Sequence, residues 1–441
     1  MTMISPLRRR LEQVFRASLS AVDPGARVRT ALARPEVVTA LTRRPIHVLA
    51  IGKAAFPMAR AAASSLAALH GAVVGLVVAP EPGELPGFSS LVGQHPVPGE
   101  GSLLAGQSVW AMAASTPATG ALLVLVSGGA SALAEVYADG VIPAEGTHAI
   151  SALAHRGAPI GDVNAMRRGI SAIKGGRLAL VCPAPVVTVA ISDVVGDDLE
   201  IIGSGPTVGP WTAGEGRTIV RIDEGMHDAA LRRLASEVWN RHFGRRGLPA
   251  SVERHLSAPP RLGRMIDRPA DVVALAAGVA TMRKGAATAA RAVGWEPVVM
   301  AADLVGDVDE VAQRLVVAAE RLGPGRILVA GGEPTVTLPA EPGRGGRAQH
   351  LALTMARRWA GRSDRATMVL GSDGVDGPGP GAPAGAFVDA NTWQAIADLG
   401  IDPTAALARC DSGTALGAVG ALVSTGPTGV NHADLVLVTH P

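Results

Sequence analysis

Apolar residues along this 441-residue chain fall into two kinds of pattern. The first is the short unbroken run closed by glycine or a polar turn: Pro45–Ile51, Ala121–Val126, Val186–Ile191, Arg326–Ala330 and Thr367–Leu370. Such runs read as strands buried on both faces, the habit of sheets covered by helices. Weaker runs at Ala72–Val78, Pro297–Ala301, Val336–Leu338 and Leu435–Val438 predict further strands. The second pattern is helical periodicity, at Leu7–Leu19, from Ala54 to about Leu69, and over Gly306–Leu322. Asp271–Trp295 reads as one long Ala-rich helix, and the charged, Pro-interrupted stretch Trp211–Arg268 as a helical linker region. Strands alternating with helices predict an α/β protein. The length exceeds one ordinary core, so the expected division is 1–240, a linking helical segment 241–320, and 321–441.

The turns at the strand ends carry the candidate chemistry. Ligands of open α/β sheets bind beyond the carboxyl ends of strands. Gly52-Lys53-Ala54-Ala55 closes the first strand and puts Lys53 at a helix start, where backbone N–H groups favour an anion. This is neither a Walker A loop nor a dinucleotide fingerprint, since the required glycines are missing. His95-Pro96-Val97-Pro98 precedes a helix with its N-cap expected at Ser102; a histidine in such a loop most often only hydrogen-bonds the loop. Ser127-Gly128-Gly129-Ala130-Ser131 forms an anion nest, with glycines for close approach and hydroxyls as donors. Over 162–177, Asn164, Arg167 or Arg168, Ser171 and Lys174 recur at steps that place them near one helix face.

The densest cluster is Ser192-Asp193-Val194-Val195-Gly196-Asp197-Asp198, running on to Ser204-Gly205-Pro206-Thr207. Aspartates there can hold Mg²⁺ or take a proton from a hydroxyl; they can also simply cap the next element. Gly343-Arg344-Gly345-Gly346-Arg347 opens a helix in the manner of a phosphate clamp, and Asp373-Gly374-Val375-Asp376-Gly377 is a second acidic turn at a strand end.

Composition narrows the picture. A net charge of +2 with arginines interleaved among acids argues against a nucleic-acid surface. No run approaches the ~20 apolar residues of a membrane span, and no apolar segment follows the basic N-terminal residues. Cys182 and Cys410 lack metal-ligand spacing, so a reduced cytoplasmic enzyme is expected. Only three of the 40 basic residues are lysine (Lys53, Lys174 and Lys284), and two of these sit in Gly-rich motifs. A lysine kept where arginine is the rule suggests a compact ammonium on a phosphate.

Taken in order, these motifs resemble the glycerate 2-kinase family, ATP-dependent kinases with a C-terminal MOFRL domain, from about residue 5 to 438. Gly52-Lys53-Ala54-Ala55, His95-Pro96-Val97-Pro98, Ser127-Gly128-Gly129, Ser171 to Arg177, Ile191 to Val194, Gly196-Asp197-Asp198, Ser204-Gly205-Pro206-Thr207, Gly343 to Arg347, Asp373 to Gly377 and Thr425-Gly426-Pro427-Thr428-Gly429 carry the likeness. The resemblance implies a Rossmann-like N-terminal domain and a smaller C-terminal one, with the active site in the cleft between them. It also implies ATP and Mg²⁺, and a small hydroxy acid, D-glycerate, as acceptor, phosphorylated to 2-phosphoglycerate. The family's catalytic lysine matches Lys53 and its loop arginines match Arg344 and Arg347. Asp193 is the first choice for activating the hydroxyl. Ser127, Gly128, Gly129, Ser131 and Lys174 are expected to hold phosphates or carboxylate, with Asn164, Ser204, Thr207 and Asp376 also binding substrate or nucleotide. Asp197, Asp198 and Asp373 are the candidates for Mg²⁺. Small molecules are the expected partners, with neither nucleic acid nor membrane, and a homodimer is among the expected assemblies.

Departures from the family pattern fall in the same loops: Ala348-Gln349-His350 for Asn-Gln-Glu, Ala130 for a glycine, Cys410-Asp411-Ser412-Gly413 for Asn-Asp-Ser and an aromatic, Gly379-Pro380-Gly381-Ala382 for a Thr-Asp motif, and Gly209-Pro210-Trp211 where an aspartate is usual. They point to two rival readings besides glycerate: the same chemistry on another hydroxy acid, or a lineage losing activity that survives as a binding protein. A nicotinamide-dependent hydroxypyruvate reductase is a further alternative, against which the missing dinucleotide fingerprint counts.

Overall fold

The computed structural model describes residues 5–70, 73–209, 219–244, 246–259, 265–269, 271–362, 364–378 and 382–440. The departures at 379–381 and 210–211 lie outside these residues. The strands in chain order are β1 Ile46–Ile51, β2 Val74–Ala79, β3 Phe88–Val92, β4 Ala121–Val126, β5 Val186–Ile191, β6 Ile219–Asp223, β7 Met265–Pro269, β8 Val272–Ala277, β9 Glu296–Val299, β10 Arg326–Gly332, β11 Ala366–Gly371, β12 Gly385–Asp389, β13 Leu422–Val423 and β14 Asp434–His440. The chain gathers into two compact units: a first of Pro24–Ser192 with Asp197–Ala276, and a second of Met1–Asp23, Asp193–Gly196 and Ala277–Pro441. The α/β expectation holds in both.

In the first unit a six-stranded sheet runs β3-β2-β1-β4-β5-β8. β4 and β5 are buried at every residue, which is why their sequences are apolar without alternation. The chain builds outward from β1 through β2 to β3, then resumes on the other flank of β1 with β4, all in parallel. Strand order therefore reverses between β1 and β4, and their carboxyl ends deliver Gly52-Lys53 and Ser127-Gly128-Gly129 side by side. A helical layer of Pro143–His155, Ile160–Ile170, Glu224–Phe243 and Ala250–Ser257 packs around Leu153, Met166, Val238 and Trp239.

The second unit has a mixed sheet, β13-β12-β11-β14-β10-β9. β14 lies antiparallel between β10 and β11, so Asp434 stands opposite both Gly332 and Gly371. That register brings the ends of β10 and β11 and the start of β14 to one edge. Helix Arg347–Trp359 covers the sheet, and its fully buried Trp359 donates from Nε1 to Thr367 Oγ1 at 2.7 Å.

Four sequence expectations need correction. Asp271–Trp295 is not one helix: β8 comes first, with Asp271 Oδ1 accepting from Val186 N at 2.9 Å, and extended Gly278 then opens helix Val279–Ala292. Alanine-rich sequence suits either state, and pairing beside β5 decides it. Val336–Leu338 is no strand; Pro334 and Pro339 bracket it, and only Thr335 forms an isolated bridge, to Asp307. Ser102 lies inside helix Glu100–Ser115, whose cap is Gly99, and its Oγ accepts from Gln94 N and Gly99 N. Within Trp211–Arg268, the described residues include the antiparallel pair β6–β7 as well as helices. No helix among the described residues is long and apolar enough to cross a membrane.

Candidate active site

Beyond β1 and β4 the first unit brings two glycine-containing turns together. Lys53 N donates to Gly128 O (2.9 Å) and Ala54 N to Ser127 Oγ (3.1 Å), so the two turns are laced together. Ser127 and Gly128 thereby hold the frame. Gly129 sits at φ +85°, and a Cβ there would lie 3.2 Å from His95 Cδ2 and 3.4 Å from Lys53 Cγ. Glycine is needed both for the conformation and for the approach of these side chains. The exposed Lys53 ammonium has no hydrogen-bond or ion-pair partner among the described residues. His95 is pushed below the usual imidazole range by burial, then by the charges of Lys53 and Arg167. Its ring is therefore neutral at pH 7.

Ser131, Ser204 and Asn164 form one chain of contacts. Ser131 Oγ and Ser204 Oγ are 2.8 Å apart, and Ser204 Oγ donates to Asn164 Oδ1 at 2.9 Å. Arg167 Nη1 donates to the same Oδ1 at 3.0 Å. The glycine turn after Lys174 pairs with the strip at Ser204: Gly175 N donates to Ser204 O and Gly176 N to Gly205 O, at 3.1 and 2.7 Å. Thr207 is buried behind β5, its Oγ1 2.7 Å from Thr188 Oγ1. Lys174 is only 1% exposed, and its ammonium meets Glu135 Oε2 at 2.5 Å and Ala134 O at 3.3 Å. Ser171 Oγ donates to the other Glu135 oxygen at 2.6 Å. That ammonium is committed inside the unit and not presented to a ligand on an open face. Glu135, its partner, is separated from it by 39 residues in sequence.

The second unit holds a closed, acidic counterpart. Arg347 donates through Nε to Asp434 Oδ2 (2.7 Å) and through Nη2 to Asp434 Oδ1 (3.2 Å) and Glu333 Oε1 (3.0 Å). Burial works against the Arg347 charge, but Asp434 and Glu333 outweigh it and raise its pKa. Burial likewise pushes the Glu333 carboxyl up; Arg347 opposes the shift, while Asp434 and Asp193 add to it. Asp376 is 7% exposed and accepts from Ala348 N (3.0 Å) and Gln349 N (2.8 Å), capping helix Arg347–Trp359 from outside the helix. Burial raises its pKa to about 6 despite those donors. Gly346 makes this cap fit: a Cβ there would stand 2.2 Å from Asp376 Oδ1 and 2.4 Å from Gly377 N. Arg344 is exposed, its backbone fixed by Asp411 Oδ1 (2.9 Å) and by Gly413 N donating to its carbonyl (2.7 Å).

Within the aspartate-rich turn, the half-buried Asp193 belongs to the second unit, where its charge reaches Glu333. Its neighbour Gly196 donates to Asp303 Oδ2 (2.8 Å), and Arg283 holds Asp303 at 2.6 Å. Asp198 Oδ1 accepts from Glu200 N at 2.8 Å, and exposed Asp373 accepts from Val375 N at 3.1 Å, so both close local turns. Asp197 has φ +54°, and its Oδ1 is buried without a hydrogen-bond partner. An orphaned carboxylate oxygen suits a divalent cation. Among the described residues no three His, Cys, Asp or Glu side chains are grouped to hold a metal. Asp197 fits a Mg²⁺ held through few carboxylates, and the described residues do not fit an all-protein cage.

Sequence reasoning missed Glu135, Glu333 and Asp434, which act on named candidates through distant pairing, and the Arg283–Asp303 pair that holds Gly196 of the aspartate-rich turn. A cavity of about 620 Å³ elsewhere in the first unit is lined by Arg177, Arg232, Arg254, His227, His255 and Asp228. Asp228 bridges Arg177 and Arg232 at 2.6 and 2.8 Å, so much of its charge is internally balanced.

A family model described as a domain of unknown function, DUF4147, matches residues 10–234, and the MOFRL family model matches 326–434. The glycerate 2-kinase of Pyrococcus horikoshii is 31% identical over 402 residues, covering 89% of this chain and 86% of that one. A putative hydroxypyruvate reductase of Agrobacterium vitis is 32% identical over 445 residues, covering 97% of this chain and 93% of that one. In structure, the crystallised glycerate kinase of Thermotoga maritima superposes with a TM-score of 0.80 at 29% identity, over 99% of both chains. With relatives at this identity along most of its length, two family models in order and a matching fold, the chain belongs to the glycerate kinase family of ATP-dependent kinases.

Proposed function

We propose that this chain transfers the γ-phosphoryl group of ATP to a hydroxyl of D-glycerate, giving 2-phosphoglycerate. The observation that carries this reading is the exposed Lys53 ammonium beside the positive-φ turn at Gly129, at the reversal point of the parallel sheet. Phosphoryl transfer asks mainly for positioning and charge neutralisation, and an unpaired ammonium against a glycine nest provides both. Lys53 is assigned to the transferring phosphoryl, and Ser131 adds a hydroxyl donor beside it. Asp193 takes the proton of the attacking hydroxyl. Arg347, oriented by Asp434 and Glu333, contributes positive charge through its remaining Nη1. Asp197 would hold Mg²⁺, which would supply positive charge to offset that of the phosphates. Arg344, on the loop fixed by Asp411, is assigned to the charge of the reactants, and Lys174 to internal support through Glu135.

A different hydroxy acid is the second reading, favoured by His350. It stands where the family usually has a glutamate, is 8% exposed, and keeps a buried Nδ1 without a partner. Burial lowers its pKa, so a neutral ring replaces a carboxylate. Phosphorus NMR of the product from Mg·ATP and D-glycerate decides the position of transfer. A 2-phosphate is expected; a 3-phosphate overturns the assignment. Oxidation of NADH by hydroxypyruvate, without ADP formation, would replace the kinase reading altogether.

A further inference from the structure

Adjacent arginines on helix Ile160–Ile170 have opposite fates. Arg168 Nη1 reaches out to Glu200 at 2.6 Å, an ordinary ion pair. Arg167 turns the other way, to Asn164 Oδ1, and has no ion pair among the described residues. Its Nε is buried with no acceptor. The carboxylate that supports its charge is Glu135, already spent on Lys174 and Ser171. Tyr137 beside it is pushed up to about 12, chiefly by burial, and so is uncharged. An arginine cannot escape by losing its proton, so a half-buried guanidinium without a counter-ion is costly unless an anion completes it.

Two further features show where that anion belongs. Arg167 shares Asn164 Oδ1 with Ser204, and Ser204 contacts Ser131, two residues beyond Gly129. His95, whose ring borders Gly129 and Lys53, feels the charges of both Lys53 and Arg167. Two cations without an ion-pair partner among the described residues therefore act on one histidine ring beside Gly129. We infer that Arg167 is an oxyanion-binding residue of this site, its planar fork taking a reactant's carboxylate or phosphate while Asn164 and Ser204 hold it in orientation. This assignment deepens the kinase reading and rests on the same site. Lys53 then stays available for the group being transferred.

The test is Arg167→Met and Arg167→Lys, compared with wild type. Asn164 Oδ1 keeps its bond from Ser204 in both, so neither variant strands a buried acceptor, and circular dichroism with apo Tm confirms folding. Thermal-shift titration with inorganic phosphate and with D-glycerate needs no turnover. Wild type should be stabilised by at least one of the two anions, with Arg167→Met losing that shift and Arg167→Lys regaining part of it. In steady state, KM should rise on the order of 10- to 100-fold for one reactant, with a smaller change in kcat. A rise for the acid assigns the carboxylate, and a rise for ATP assigns the phosphate. Equal shifts and equal KM values in wild type and Arg167→Met would overturn the inference, as would a wild type stabilised by neither anion. Arg167-dependent anion binding without turnover on any acid would leave the inference standing and remove the kinase reading. Normal turnover on glycerate with unaltered KM in Arg167→Met would do the reverse.

Discussion

The two units treat positive charge in opposite ways. In the first, Lys53 stands beside the Gly129 turn and Arg167 bonds Asn164, and neither has an ion-pair partner among the described residues. In the second, Arg347 is clamped by Asp434 and Glu333, both within 3.0 Å. An unpaired cation is poised for a ligand, whereas a clamped one is fixed in direction and gives up only its free edge. The same contrast separates the two lysines of the Gly-rich motifs within the first unit. Lys53 is exposed, while Lys174 lies against Glu135 with neither side chain more than 2% exposed. Scarcity marked both as special; only burial shows that one acts outward and the other inward.

The largest expected effect is on turnover. Lys53→Ala should lower kcat by on the order of 10³-fold, with Tm within a degree or two of wild type, because the ammonium has no partner to lose. Preserved activity would remove Lys53 from the chemistry. Lys174→Met should do the opposite kind of damage. Leaving Glu135 buried and uncompensated costs about 3–5 kcal/mol of stability, read by urea denaturation. A near-neutral result would overturn the reading of Lys174 as the charge that Glu135 needs in the interior.

How much of this is legible in the sequence differs by kind of feature. Strands β1, β4, β5, β10 and β11 declare themselves as apolar runs, and the turns after them carry the candidate residues. β8 hides in an alanine-rich stretch because its state depends on pairing beside β5. The partners of the candidates are invisible for a similar reason. Asp434 meets Arg347 only because β14 lies between β10 and β11, and Glu135 meets Lys174 only through tertiary packing. Periodicity can place Arg167 and Arg168 on a helix, but the choice between them rests on Glu200, 32 residues away from Arg168.

Smaller effects sharpen the view of the second unit. Gly346→Ala forces a Cβ into Asp376 and Gly377, so a loss of about 1–3 kcal/mol is expected, with lower activity as the Arg347 helix start shifts. Calorimetry and kcat on the same sample check both. The smallest effect is a pH dependence. Asp376 has a folded-state pKa of about 6 against an ordinary 3.8, so the folded state holds the proton more tightly than the unfolded chain. Its contribution is full below the unfolded value and is lost as pH rises through about 6. Relative to Asp376→Asn, wild type should therefore lose roughly a few degrees of Tm between pH 4 and pH 7. Parallel Tm curves for the two proteins would show that folding does not raise the Asp376 pKa.

The most direct test of the central claim is ADP release from Mg·ATP on addition of D-glycerate, run with wild type and Lys53→Ala beside a panel of other small hydroxy acids. Wild type is expected to form ADP in a glycerate-dependent reaction that Lys53→Ala abolishes. ADP formation with another acid and none with glycerate would contradict the assigned acceptor, and ADP formation that survives the loss of Lys53 would contradict the assigned site.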